Sequence, residues 1–261
     1  MSSNNLKSKI MKKIVFIITL LYSTSLISQS TQWLPMVINE GKDAEYLELE
    51  KNWMQINQAL IDDGYINNWS VWKRTPKEGD DGWAQYFVVI GNNDEMSFDL
   101  NEFNNYLRQV FKGKSQRAIQ KMISTDGIFS ERRSLLLNWV GGTIYSGGEL
   151  SPGDKMYFHY MTQKNDNFED LEMNVWKPIA DDQILDGIRK FWGLAKIDQK
   201  SENFTGVYTH LAINIMNGDT FNQTQDSYTD WDFETTQLMS LVQDSRDMLD
   251  AEELTLIYIA N

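Results

Sequence analysis

Apolar residues spaced three and four positions apart predict an amphipathic helix in the first third of the chain. The residues of its apolar stripe are Tyr46, Leu49, Trp53, Ile56 and Leu60. Gly64 follows, and a glycine is typical of a helix end. Apolar runs at 33–39, 68–74, 83–90 and 134–140 predict strands. The segment from Asp99 to Glu102 resembles a capping box that begins a second helical region. The predicted order is β-α-β-β-α-β.

The chain contains this pattern twice. The segment Leu49-Glu50-x-Asn52-Trp53 returns as Leu171-Glu172-x-Asn174-Val175-Trp176, with one extra residue. Beyond it, Trp53, Ile56, Ile61, Gly64 and Trp69 recur at unchanged separations as Trp176, Ile179, Ile184, Gly187 and Trp192. The sequence therefore predicts a tandem duplication, with repeats at residues 30–146 and 147–261 joined through a glycine-rich connector.

The second repeat predicts the same element order. Strands are expected at 156–163, 191–197, 207–215 and 254–259, a helix from Phe168, and a second helix over 234–248. One such unit forms a four-stranded antiparallel sheet in the order 4-1-3-2 with both helices on one face. Two units can cover each other's open faces. The prediction is an α+β fold in which a single chain packs two ferredoxin-like repeats sheet to sheet as a fused pseudo-dimeric barrel, without needing a partner chain.

The repeated helix with Trp53 or Trp176, its terminal glycine and the strand tryptophans Trp69 and Trp192 resemble the dimeric α+β barrel superfamily. That ferredoxin-like group includes antibiotic-biosynthesis-type monooxygenases, haem-degrading monooxygenases and stress-responsive barrel proteins. The resemblance implies a fold. It leaves the activity open between cofactor-independent oxygenases, haem proteins and domains without a known reaction, because one fold serves many functions.

Residues 1–29 predict a secretory signal peptide, since a lysine pair precedes a short apolar run and small polar residues. The predicted location is secreted or periplasmic. This segment holds four lysines and no acidic residue, so its removal takes the formal net charge from −13 to about −17. Such a charge argues against nucleic-acid binding, and no stable membrane insertion is expected after cleavage. The absence of cysteine excludes disulfides and thiolate chemistry.

Both histidines of the chain fall on predicted strands of the second repeat. Strand alternation places His159 with Tyr157, and His210 with Tyr208 and Asn214. The opposite faces are more apolar and suit contact with helices. We therefore expect the polar set to face the barrel interior, with His159 and His210 reaching one space.

The repeat offset matches these histidines with Val37 and Phe87, which makes the second repeat the better candidate for chemistry. His159, His210, Tyr157 and Tyr208 are the candidate catalytic residues, and Asn214, Phe87 and Val37 the candidate ligand-binding residues. The alternative is that both histidines are ordinary hydrogen-bonded strand residues.

The sequence predicts an exported protein that encloses a small apolar or aromatic molecule between its two sheets. The alternative is a monooxygenase-like enzyme, cofactor-independent or haem-linked, that acts on an apolar or aromatic substrate. No motif of hydrolases, kinases, nicotinamide enzymes or zinc proteases is present, and neither a metal nor a cofactor is predicted. A lumen packed with side chains would favour a binding module, and a cavity of several hundred Å³ beside the histidines would favour an enzyme.

Overall fold

The computed structural model describes residues 30–80, 82–92, 100–218 and 231–261. The predicted signal peptide and Asp99 of the predicted capping box lie outside these ranges. Within the described part of the chain, no helix has the length and apolar character needed to span a membrane.

The first repeat has the predicted element order, with one additional short strand and a divided second helical region. Its elements are β1 (Ser30–Ile38), α1 (Asp43–Asp62), β2 (Ile66–Arg74), β3 (Tyr86–Asn92), α2 (Leu100–Val110), α3 (Gln116–Met122), β4 (Phe129–Arg132) and β5 (Leu135–Gly142).

The second repeat follows the same plan. Its elements are β6 (Lys155–Gln163), α4 (Phe168–Leu171), a π-turn (Glu172–Trp176), α5 (Lys177–Leu185), β7 (Arg189–Lys200), β8 (His210–Met216), α6 (Phe233–Asp244), β9 (Arg246–Met248) and β10 (Glu252–Ala260). The helix predicted over 234–248 is therefore too long. It ends at Asp244, and the next residues form a strand that pairs with β6.

The extra residue of the second repeat is accommodated in the π-turn. Trp53 lies three positions after Glu50 in regular helix, whereas Trp176 lies four positions after Glu172 across the π-turn. A π-turn absorbs one inserted residue without ending the helix. The glutamate and the tryptophan consequently keep corresponding places in the two repeats.

The two helix-ending glycines also correspond. Gly64 has a φ of 77° and Gly187 a φ of 72°, values in the left-handed region that favours glycine. Each amide donates to the carbonyl three residues earlier, at 2.9 Å to Ile61 and 3.0 Å to Ile184. Both glycines therefore end the helix in the same way and direct the chain into β2 or β7.

Eight strands form one closed antiparallel barrel. The order around it is β10-β2-β3-β1-β5-β7-β8-β6, and β6 pairs with β10 to complete the ring, while β4 and β9 pair outside this circuit with β1 and β6. Each repeat contributes four strands in the predicted 4-1-3-2 order. The repeats join edge to edge through the pairs β5–β7 and β10–β2, so the barrel closes within a single chain.

Large apolar side chains from both repeats fill the lumen. Phe158 lies at its centre, with its ring centroid 5.2 Å from that of Trp33, 5.3 Å from Phe87 and 5.1 Å from Tyr160. Tyr208 stacks on Tyr160 at 4.5 Å. The lumen is thus a packed core, as is usual for an eight-stranded barrel.

The expected assignment of strand faces is wrong. Phe158 and Tyr160 belong to the lumen core, whereas Met161 and Ala212 pack with Phe168 of helix α4. By alternation, His159, His210 and Asn214 lie on the outer, helix-covered face. The more apolar faces of β6 and β8 line the lumen because eight strands enclose it completely. The space beneath the helices instead opens towards polar groups and solvent.

Candidate functional site

A cavity of about 450 Å³ lies in the second repeat between the outer face of the sheet and the helices. Its walls come from β6, β7 and β8, from the helical segment at Trp176, and from the region of α6 and β9. Its lining includes His159, Trp176, Arg189, Trp192, Asn214, Trp231 and Arg246. A cavity of this volume is within the usual range for small-molecule sites.

Tryptophan side chains form much of the apolar wall. Trp192 is 1% exposed on β7, Trp176 lies at the end of the π-turn, and Trp231 precedes α6. Met161, Met239 and Met248 complete this wall. Aromatic and thioether groups of this kind suit flat apolar ligands.

Arg189 supplies a positive charge at the sheet side of the cavity. It is 2% exposed, and its Nε and Nη2 donate to Gln183 Oε1 at 3.1 and 2.8 Å. Its Nη1 donates to Asn214 Oδ1, and Asn214 Nδ2 donates to the Tyr157 carbonyl at 3.2 Å. These amide groups hold the guanidinium in a fixed orientation.

Arg246 supplies a second positive charge. Its Nη1 forms an ion pair with Glu172 Oε1, and the two residues are 9% and 0% exposed. Burial lowers the pKa of Arg246 to about 10, so the guanidinium remains a cation at neutral pH. The cavity thus contains two buried guanidinium groups, and the buried carboxylate of Glu172 pairs with that of Arg246.

His159 lies on β6 in the same cavity, half-buried. Its Nδ1 lies 2.9 Å from the Leu249 carbonyl, and because a carbonyl only accepts, Nδ1 carries the proton. Burial lowers the pKa of His159 below its usual value, although the Leu249 bond acts in the opposite direction. The ring is therefore neutral at physiological pH, with Nε2 as its basic nitrogen.

His210 lies on the same outer face but does not line the cavity. It is 0% exposed and meets the Phe168 ring at 4.8 Å between centroids. Its Nε2 donates to Glu169 Oε1 at 3.1 Å, and its Nδ1 lies 2.8 Å from Thr209 Oγ1. Burial lowers the pKa of His210, against the effect of Glu169. The prediction that both histidines reach one interior space is therefore wrong.

The other predicted site residues are dispersed. Asn214 lines the cavity, and Tyr157 lies on the same sheet face, buried. Tyr208 and Phe87 belong to the lumen instead. Val37 lies half-buried near the end of β1, opposite Glu131 of β4. Of the seven predicted residues, the structure thus brings His159 and Asn214 into the cavity; whether any of them is catalytic or binds a ligand stays a prediction.

The first repeat contains a corresponding cavity of about 480 Å³. Strand pairing gives the equivalent positions in the two repeats. Trp69 lies opposite Ile90 of β3, and Trp192 lies opposite Asn214 of β8, so the two pairs correspond. The cavity-lining pairs are Trp53 and Trp176, Trp69 and Trp192, Ile90 and Asn214, Leu34 and His159, Met36 and Met161, and Val88 and Ala212. The duplication has therefore preserved both cavities.

The true counterparts of the two histidines follow from the same pairing. His159 corresponds to Leu34 and His210 to Tyr86, whereas the offset between the repeated sequence segments gave Val37 and Phe87. Each predicted partner is displaced by an odd number of residues. An odd displacement on a strand moves a side chain to the opposite face, which is why Phe87 lies in the lumen.

The two cavities differ in charge. Ile66 and Ile90 occupy in repeat one the positions that Arg189 and Asn214 occupy in repeat two. Phe129 of β4 occupies the position of Arg246 of β9. Glu50 is the repeat-one counterpart of Glu172. It therefore has a phenylalanine at the position from which Arg246 pairs with Glu172.

Glu50 is 5% exposed and lines the repeat-one cavity. Burial raises the pKa of Glu50 to about 7, although the neighbouring Tyr46 hydroxyl acts in the opposite direction. Burial also raises the pKa of Tyr46, and the Glu50 charge adds to that shift. Near neutral pH, Glu50 is therefore divided between its neutral and charged forms.

Replacing Glu50 by glutamine is expected to make the protein more stable at alkaline pH. The folded pKa of about 7 exceeds the reference value of 4.5, so this group's contribution to stability is present below pH 4.5 and lost as the pH rises through 7. Glutamine does not titrate. The free energy of unfolding of E50Q, relative to that of the wild type, should therefore rise by up to about 3 kcal/mol between pH 4.5 and 8.

Urea unfolding of the wild type and E50Q at a series of pH values measures this difference. The matched control is Glu48→Gln, which removes an exposed carboxylate from the same helix. A free-energy difference between the wild type and E50Q that does not change with pH would contradict burial of an unpaired carboxyl group.

The sequence reasoning did not identify Arg189, Arg246 or Glu172 as site residues. One signal was available, because the glutamate at Glu50 and Glu172 is repeated within an otherwise apolar helical stripe. A charged residue at a buried position in both repeats indicates a buried polar role. The arginines have no repeated signal, since Ile66 and Phe129 stand at their places in the first repeat.

Among the described residues, no group of three or more histidine, aspartate or glutamate side chains is arranged to hold a metal ion. No protein-family model matches the chain. No match is found among curated proteins either.

Several solved structures are similar over most of the chain. A protein from Fusobacterium nucleatum, provisionally described as a monooxygenase, has a TM-score of 0.52 and 12% identity, covering 89% of this chain and 94% of its own. A protein from Lactobacillus acidophilus with the same provisional description has a TM-score of 0.51 and 8% identity, covering 89% and 96%. A chlorite dismutase from Candidatus Nitrospira defluvii has a TM-score of 0.43 and 8% identity, covering 88% and 91%.

At such identities the similarity of the first two structures establishes the fold alone. The chain has the dimeric α+β barrel fold, built from two fused ferredoxin-like repeats.

Proposed function

We propose that the repeat-two cavity binds a small, flat, apolar or aromatic molecule that carries an acidic group. The observation that carries this proposal is the presence of two buried guanidinium groups in a cavity walled by three tryptophans. An apolar wall with a few fixed polar groups is the usual composition of a small-molecule site. The ligand lies outside the lumen, not between the two sheets as the sequence suggested, because the lumen is filled.

The charge of the ligand follows from the cavity and not from the whole chain. A net charge of −13 repels anions at long range, so an acidic ligand needs local cations to bind. Arg189 presents its planar guanidinium beside neutral amides, an arrangement that suits a carboxylate or a related acid. The pair between Arg246 and Glu172 holds the second guanidinium in place.

The N-terminal sequence supports a place of action outside the cytoplasm. Residues 1–29 have the charge and apolar pattern of a secretory signal, and the chain contains no cysteine that an oxidising compartment would pair. The cavity and the N-terminal segment together support a protein that binds small acidic molecules in the periplasm or outside the cell.

Replacing Arg189 by glutamine tests the proposal with two fluorescent probes of similar aromatic size. The anionic probe is 1-anilinonaphthalene-8-sulfonate, and the uncharged probe is N-phenyl-1-naphthylamine. We expect R189Q to weaken binding of the anionic probe about tenfold or more, because one buried charge-assisted contact is worth about 1.5–3 kcal/mol. Binding of the uncharged probe should change less than about threefold. Probe fluorescence titrations measure both affinities.

Arg117→Gln is the matched control, since it removes an exposed arginine on α3. Circular dichroism should show that both variants are folded. A specific anion site at Arg189 would be excluded if R189Q weakened binding of both probes equally. It would also be excluded if R117Q weakened binding of the anionic probe as much as R189Q does.

A second candidate function is a monooxygenase-like reaction on the bound molecule. The observation in its favour is His159, whose neutral ring donates from Nδ1 to the Leu249 carbonyl and keeps Nε2 as a base. A base at the edge of an aromatic-walled cavity can remove a proton from a phenol or an activated C–H group. Asn214 and Arg189, which line the same cavity, would stabilise the resulting anion.

The residues of the cavity are also compatible with haem. Histidines that ligate iron commonly donate their other ring nitrogen to a backbone carbonyl, as His159 does to Leu249. The two arginines match carboxylates such as propionates. When bound, haem would supply redox chemistry that the side chains lack.

Hemin titration separates the two forms of the enzyme hypothesis. A haem-linked protein should develop a shifted Soret band that His159→Phe removes, with the apoprotein's circular dichroism unchanged in that variant. A cofactor-independent protein should give no specific Soret shift and should instead consume oxygen in the presence of a phenolic substrate, with H159F inactive. If neither signal is observed, both forms of the enzyme hypothesis are excluded and the binding function remains.

A further inference from the structure

We propose that the repeat-one cavity is a second site that binds a small aromatic amine in its cationic form, with the Glu50 carboxylate as counter-ion and the two tryptophans as stacking surfaces. This site lies in the other half of the chain from the repeat-two cavity. It does not depend on the function proposed for that cavity.

The geometry is that of an apolar cavity with one buried acid. Trp53 and Trp69 lie on its walls, and the remaining apolar lining residues are Leu34, Met36, Leu49, Val88, Ile90 and Phe129. Glu50 is 5% exposed and also lines the cavity. A volume of about 480 Å³ accommodates a one- or two-ring molecule.

The uncompensated charge selects a cation. Phe129 stands where Arg246 pairs with the equivalent glutamate in repeat two, so the first repeat lacks that internal counter-ion. A buried carboxylate is unfavourable unless a positive group reaches it. An ammonium group would provide that partner, and the faces of Trp53 and Trp69 would add a cation–π contribution.

The charged and titratable groups around Glu50 support this selection. On α1, the Tyr46 hydroxyl neighbours the carboxyl group. On β4, Arg132 lines the cavity but is exposed to solvent. The lining positions on β1, β2 and β3 carry no ionisable side chain. Among the lining residues that the structure describes, Glu50 is therefore the one buried acid that an entering amine meets.

Binding should release protons near neutral pH. Burial raises the pKa of Glu50 to about 7, so the empty cavity holds a partly protonated carboxyl group. An amine enters as a cation and stabilises the carboxylate, which drives the remaining proton into solvent. Affinity should therefore rise as the pH increases from 6 to 8, as long as the amine stays protonated.

The experiment compares 2-phenylethylamine with its uncharged analogue 2-phenylethanol by titration calorimetry on the full chain. We expect the amine to bind the wild type at least tenfold more tightly than the alcohol. The observed heat should depend on the ionisation enthalpy of the buffer, which reports proton release.

Three variants test the role of the acid. Glu50→Gln should weaken amine binding at least tenfold and abolish proton release, whereas Glu48→Gln should leave both unchanged because Glu48 is exposed on the opposite side of α1. Phe129→Arg recreates the arginine of repeat two. It should pair with Glu50 and likewise abolish amine binding.

Competition shows that the two cavities are separate. Saturating 1-anilinonaphthalene-8-sulfonate should leave the amine affinity of the wild type unchanged. The proposal is overturned if amine and alcohol bind equally, if E48Q weakens amine binding as much as E50Q does, or if no amine binds the folded wild type. None of these outcomes bears on the anion site at Arg189, so the two proposals fail independently.

Discussion

Replacing Arg246 by methionine is expected to lower the free energy of unfolding by about 3–5 kcal/mol. Methionine leaves the Glu172 carboxylate, which is 0% exposed, without its cation in an apolar environment. Urea unfolding followed by tryptophan fluorescence measures the loss.

The double variant Glu172→Met with Arg246→Met provides the internal control. It removes both charges and substitutes apolar side chains of similar length, so it should recover most of the stability that the single variant loses. A double variant as unstable as R246M would mean that the arginine contributes through packing and not through its charge. The same pair of variants shows whether the ion pair is needed for binding of the anionic probe.

Truncating Phe158 to alanine should also destabilise the protein by about 3–5 kcal/mol. Phe158 is 0% exposed and meets aromatic rings from three other strand positions in the lumen. Removing its ring leaves a void that strands hydrogen-bonded in a closed ring cannot collapse to fill.

Phe233→Ala is the matched control, because the same side chain is 80% exposed at the start of α6. It should change the free energy of unfolding by less than about 0.5 kcal/mol. A small effect of F158A would show that the lumen is loosely packed, and it would reopen the barrel interior as a place for a ligand.

The architecture could be predicted from the sequence because its signals are local and occur twice. The helix stripe, the terminal glycine and the strand tryptophan each recur at Trp53 and Trp176, Gly64 and Gly187, and Trp69 and Trp192. Element order then gives the antiparallel strand order of each half, and the structure confirms it. Two independent copies of a weak pattern support each other in a way that one copy cannot.

The position of the site could not be predicted because it depends on strand parity. Both faces of β6 contain aromatic residues, so polarity alone does not decide which face meets the helices. Insertions between the elements also change the repeat offset by one residue at a time. A one-residue error is harmless on a helix end but exchanges the two faces of a strand, as it did for Phe87.

Arg246 was missed for a different reason. It lies in a segment that continues the apolar spacing of α6 and was therefore included in the predicted helix over 234–248. Pairing with β6 overrides that local pattern, because residues 161–163 of β6 extend beyond its pairing with β10 and bond to β9 instead. Tertiary context of this kind leaves no mark on the local sequence.

The closed ring of strands also determines the order in which the molecule can be assembled. β10 bonds to β2 of the first repeat and to β6 of its own, and Arg74 and Glu252, which are 178 residues apart, pair across the first of these junctions. A growing polypeptide therefore has an open barrel until β10 has been synthesised. Contacts between such distant parts of a chain form slowly. Exposed edges of β2 and β6 are the surfaces that a chaperone would have to shield during that interval.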